Sequence, residues 1–74
     1  MTNMLDWDSL RFFFAFVHEG SLAAAARSLG VEHATVARRI AALEASLDMK
    51  LVDRRGRVYQ LTEEGVRVGE YAAQ

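Results

Sequence analysis

Arg38 and Arg39 stand side by side in "GVEHATVARRI", residues 30 to 40, a segment that opens on glycine and is otherwise mostly small or apolar. A guanidinium presents a planar fork of N–H donors, which suits two-point hydrogen bonding to a carboxylate, a phosphate or the O6 and N7 edge of guanine. A second group of cations follows at Lys50, Arg54, Arg55 and Arg57. Between Arg27 and Val58 seven basic residues stand against four acids, a net of +3, while the whole chain carries −1 and the remainder therefore −4. A chain polarised in this way can present one basic face despite its slightly negative total, and the field near that face is what a phosphate senses. Charge alone leaves an ordinary solvated mixture of ions equally open.

Other chemistries find little support. There is no cysteine, so neither a disulfide framework nor a thiolate metal site can form, and His18 and His33 are too far apart in sequence for metal-ligand spacing. No nucleophile has a sequence-suggested base and no glycine loop is built for phosphate, so no enzyme is expected. The longest apolar run, "FFFAFV", has six residues, against about 20 for a membrane span. The N-terminal "MTNMLDWD" lacks the basic and apolar regions of a signal peptide. The expectation is a cytoplasmic chain with no membrane partner. At 74 residues it forms one domain that buries only about 60 to 65% of its unfolded surface.

The cations must be positioned by the elements around them. Leu10, Phe13, Phe14 and Val17 recur at i, i+3, i+4 and i+7, which predicts a helix from Asp8 to Glu19 that Gly20 closes. Phe12 and Phe16 form a second apolar stripe, more than a small core is expected to need, and so are expected to face a partner. Ser21 suits the N-cap of a helix from Leu22 to Leu29, rich in alanine. After a tight connection at Gly30 and Val31, the stripe Val36, Ile40, Leu43, Leu47 predicts a third helix. Its opposite face carries His33, Ala37, Arg38 and, further round, Glu44, with Thr35 and Arg39 on the flanks. The period then changes: "LVDRRGRVYQL" predicts two short strands around a turn at Arg55 and Gly56. Thr62 caps a fourth helix, with Glu63 and Glu64 in its first turn and apolar spacing at Val66, Val68, Tyr71 and Ala72. Gly65 and Gly69 weaken that helix by about 1 kcal/mol each relative to alanine.

The fold class is therefore mainly α with a small β-hairpin. Two helices joined at a glycine turn, followed by a basic hairpin, make a winged helix-turn-helix: Ala26 at the crossing, Gly30 in the turn, Val31 and Val36 as apolar anchors. The division is 1–62 for that domain and 63–74 for the start of a linker helix. Burying the apolar stripe of the third helix turns His33, Ala34, Thr35, Ala37 and Arg38 toward a major groove. Arg39, about 100° further round, meets a phosphate or a neighbouring acid. Arg55 and Arg57 at the wing neutralise phosphates or enter a narrow minor groove. The competing reading is a winged helix used as a protein-interaction module, its arginines serving solubility.

Three stretches, "LRFFFAFVHEGSLAAAARSLGV", "ATVARRIAALEASLDMKLVDR" and "LTEEG", together resemble the N-terminal DNA-binding domain of bacterial LysR-type transcriptional regulators over nearly the whole chain. The resemblance implies double-stranded DNA as partner, with base-facing positions at His33, Ala34, Thr35, Ala37 and Arg38, and backbone contacts or support from Thr35, Arg39, Lys50 and Arg54. It places Arg57 at the minor groove, a choice the residues alone do not make over Arg55. It also implies a homodimer or higher homo-oligomer through the linker helix, with Phe12, Phe16, Val68 and Tyr71 on the dimer surface. No cofactor is implied for this domain; a small-molecule inducer would bind a C-terminal domain outside these residues. Recognition helices of the family usually open with Ser, Gln, Pro, where this chain has Glu32, His33 and Ala34. Glutamate caps a helix less well than serine and repels phosphate, and histidine offers one contact where glutamine offers two, so a changed base preference is expected.

Overall fold

Six elements follow one another in the computed structural model: α1 (Trp7–Glu19), α2 (Leu22–Leu29), α3 (His33–Leu47), β1 (Val52–Arg55), β2 (Val58–Leu61) and α4 (Glu63–Glu70). Residues 7–56 and 58–71 are described, so Arg57 and Ala72 lie outside the described residues. The order matches the periodicities, and the ends follow from local chemistry. The Ser21 hydroxyl accepts from the Ala24 N–H at 3.1 Å, satisfying one free donor at the start of α2. At its other end Gly30 adopts φ 71°, where a side chain would be strained. The Gly30 N–H then donates to Arg27 O at 3.3 Å and the Val31 N–H to Ala26 O at 3.0 Å. This bond pair is a Schellman ending, and it fixes the angle at which α3 leaves α2.

Glu32 caps α3 with its backbone only; its side chain makes no capping bond, as the sequence leads one to expect. The far end of α3 carries no glycine. Asp48 takes the left-handed conformation instead, at φ 55°, which a short polar side chain tolerates better than most. Glu44, expected on the outer face, turns under the helix. One of its oxygens accepts from the Leu51 N–H at 2.8 Å and the Val52 N–H at 3.0 Å, and the side chain is 12% exposed. It ties the last turns of α3 to the first residue of the wing.

The core lies among α1, α2, α3 and the entry to β1. Phe13, Val36, Ile40, Leu43 and Leu51 are fully buried, with Leu10, Ala25, Ala26 and Val52 around them. Burial of each large side chain contributes about 1.5 to 3 kcal/mol, and the alanines of α2 let the neighbouring helices approach closely.

Phe12 and Phe16 correct the expected partner surface, since both belong to this core, at 4% exposure each. Two features cover them. The guanidinium carbons of Arg11 and Arg39 lie 5.0 and 5.6 Å from the Phe12 ring centroid, and their stems screen it from water. Phe16 faces a hollow shared with Leu22 and Tyr59, where α2 and the wing shelter it. The outward aromatics of α1 are the exposed Trp7 and, two turns on, the half-buried Phe14. Both border an apolar groove of about 440 Å³ with Leu10, Leu47, Val68 and Tyr71.

α4 rests on that body through its first residues. The Thr62 hydroxyl donates to Lys50 O at 2.6 Å and accepts from the Gly65 N–H at 3.0 Å. A Cβ at Gly65 would collide with the Leu51 carbonyl oxygen, and one at Gly69 would press on the Val17 methyls at 3.2 Å. The glycines that weaken α4 in isolation are what let it pack this closely.

Candidate nucleic-acid interface

Successive residues of a helix point about 100° apart, so the buried stripe Val36, Ile40, Leu43 dictates what α3 shows to solvent. Arg38 stands opposite that stripe, exposed, with Ala34, Ala41 and Ala45 beside it on the same open face. No hydrogen bond or ion pair holds Arg38 among the described residues. One guanidinium on a smooth alanine surface can reach into a groove without its neighbours colliding with the walls. His33 is exposed at the N-terminal end of the same helix, whereas Thr35 and Ala37 are half-buried on its two flanks.

Arg39 takes the other direction. Its guanidinium lies 3.5 Å from the Asp8 carboxylate, which also receives Arg11 at 2.9 Å. Of the two partners expected for Arg39, the neighbouring acid is the one it meets within the fold, because one residue of helical rotation carries it from the open face to α1.

The wing lies along the opposite flank. β1 and β2 pair antiparallel with Arg54 across from Tyr59 and Arg55 across from Val58. Side chains alternate along a strand, so Arg54 shares a face with the buried Val52, while Arg55 shares one with Asp53 and donates to it at 3.1 Å. The result is a cleft of about 260 Å³ between α3 and β1, bordered by Ala37, Ala41, Glu44, Lys50, Arg54 and Tyr59. Lys50 is exposed at its rim, 3.8 Å from a Glu44 carboxylate already engaged by two N–H groups. Arg54 lies 5.9 Å from the Tyr59 ring centroid. α3, the cleft and the wing thus adjoin one another, and Arg38, Lys50 and Arg54 are all exposed on them, Arg54 donating from Nε to the Gly56 carbonyl at 3.3 Å.

This arrangement has close counterparts. The sequence pattern described as "Bacterial regulatory helix-turn-helix protein, lysR family" matches residues 7–66. The chain belongs to the LysR family. Among curated relatives of this LysR-family chain, the AhcY transcriptional activator HvrB of Rhodobacter capsulatus is 44% identical over 75 residues, covering 93% of this chain and 26% of the relative. Among solved structures, the full-length Vibrio cholerae virulence activator AphB superposes with a TM-score of 0.84 at 35% identity, covering 93% of this chain and 24% of AphB. The CbnR DNA-binding domain in its DNA complex gives 0.82 at 35% identity, covering 93% of this chain and 79% of that one. The chain thus spans about a quarter of the length of the full-length relatives it matches.

Tyr59 and Asp8 were not legible as site residues. Tyr59 borders the hollows on both sides of the wing and underlies Arg54; the available signal was its position opposite Arg54 once the hairpin register is drawn. Asp8 acts on Arg39 only through the α1–α3 packing. No cluster of three potential metal ligands occurs among the described residues, and no described helix is long and apolar enough to cross a membrane.

Proposed function

We propose that this LysR-family chain reads double-stranded DNA in a sequence-specific way for a bacterial transcriptional regulator. The N-terminal half of α3 enters the major groove, presenting His33, Ala34 and Arg38, with Thr35 and Ala37 at its sides. The backbone follows the cleft, where Lys50 and Arg54 meet phosphates, while Arg55 and Arg57 serve the wing, Arg57 toward the minor groove. The observation that carries this reading is the outward Arg38, without a partner among the described residues, on a helix whose other side is the core. The apolar groove at Phe14, Val68 and Tyr71 supports a homodimer or higher homo-oligomer joined through the helix that α4 begins. The domain acts in the cytoplasm by binding rather than catalysis and needs no cofactor; a small-molecule inducer would act on the remainder of the regulator.

Titration of duplexes at several salt concentrations tests this. With about four to six phosphate contacts per subunit, log affinity falls against log salt with a slope of about −4 to −5. A selected site, made of two repeats one or more helical turns apart, outcompetes random duplex. A protein-interaction module shows no saturable duplex binding, and that result would remove the proposal.

A further inference from the structure

The two flanks of α3 carry their cations differently. Toward the wing lies the cleft with Lys50 and Arg54, where the acid within reach, Glu44, is turned under the helix and engaged by two backbone N–H groups. Toward α1 lie Arg39 and Arg11, and both converge on the Asp8 carboxylate, at 3.5 and 2.9 Å. Both guanidiniums also lie against the buried Phe12 ring. Arg39 and Asp8 are nonetheless half exposed, within reach of anything that lies along α3. A helix seated in a major groove about 12 Å wide has a phosphate wall on each flank. Arg39, about 100° of rotation from Arg38, is the cation of α3 turned toward the wall on the α1 side. Its charge is already answered there. Meeting a phosphate would exchange one anion for another, bring the Asp8 carboxylate beside the backbone, and release fewer counterions than an arginine without a carboxylate partner releases.

We infer that Asp8 is a positioning residue for DNA binding, which withholds Arg39 from the phosphate backbone and so limits the sequence-independent part of the affinity. The inference rests on the DNA-reading function proposed above. It adds to that reading an acid on a different helix that decides which of two adjacent arginines contributes: Arg38 faces the groove and Arg39 is held back.

Salt titrations of duplex binding test it, with the parent chain, Asp8→Asn, Asp8→Glu, and Asp8→Asn combined with either Arg39→Gln or Arg11→Gln. Helicity by circular dichroism is the folding control, and Asp8→Ser takes the place of Asp8→Asn if asparagine costs helix. Asp8→Asn is expected to steepen the slope of log affinity against log salt by about 0.9 per subunit, the effect of one added phosphate contact. Affinity for random and selected duplexes rises alike, by about three- to tenfold at about 0.1 M salt. Adding Arg39→Gln reverses the gain. Arg11→Gln removes the same charge but leaves the gain in place, and Asp8→Glu, which keeps the carboxylate, behaves as the parent. An unchanged slope or a lower affinity in Asp8→Asn overturns the inference. So does a gain that Arg11→Gln erases as fully as Arg39→Gln, since net charge alone would then explain it. Absence of saturable binding by the parent itself overturns the DNA-reading function and this inference with it.

Discussion

The Glu44 side chain, near the C-terminal end of α3, accepts two backbone N–H groups and is 12% exposed, whereas the Glu32 side chain, at the N-terminal cap, makes no capping bond and is open to water. The two arginines between them divide in the same way. Arg39 is held by Asp8 and covers Phe12; Arg38, one residue earlier, is exposed and touches no counter-charge among the described residues. Among these four charges each sign therefore occurs once in service of the fold and once without a counter-charge among the described residues. A charge satisfied internally gives little to a ligand, because engaging the ligand first requires breaking its existing contacts. The free pair lies toward the N-terminal end of α3, the part of the helix that reaches base edges in this kind of motif.

Glu44→Ala gives the largest effect expected from this contrast. It removes two charge-assisted hydrogen bonds and leaves two amide groups at the start of the wing without an acceptor, so unfolding free energy should fall by about 2 to 4 kcal/mol in urea titrations. A fall of less than about 1 kcal/mol would mean that Glu44 is no more committed to the fold than Glu32. Next in size is the split between the arginines. Arg38→Ala should weaken binding to the selected site by about 1 to 3 kcal/mol, or roughly 5- to 150-fold, with much less effect on random duplex. Arg39→Ala should change affinity by less than about threefold and stability by about 0.5 to 1 kcal/mol, the range of an exposed ion pair. Equal affinity losses for the two would end the distinction between them. The last effect is a gain. Asp48→Gly relieves a left-handed backbone at the end of α3 and should add about 1 kcal/mol of stability in thermal melts, without altering duplex affinity.

Much of this domain was legible because its signals are local. A helical stripe, a serine or threonine cap and a glycine turn each depend on residues within one or two turns of chain, and α1, α2, α3, the hairpin and α4 follow from them. The face of α3 that carries Arg38 was legible for the same reason, since Val36, Ile40 and Leu43 leave only one side open. The misplacement of Phe12 and Phe16 has the opposite origin. Counting apolar stripes on α1 cannot reveal that Arg39, distant in sequence, would cover one ring, or that the wing and α2 would shelter the other. The fate of Glu44 was hidden likewise, because its partners lie beyond the end of its helix.

By itself the sequence determined which residues form elements and which side of α3 faces out, since covalent spacing and backbone geometry act over a few residues. Only the tertiary structure decided which charges remain free, which aromatics are covered, and why α4 needs glycine against Leu51. Those outcomes depend on which surfaces meet, and contacts between distant segments are set by the packing of the whole core.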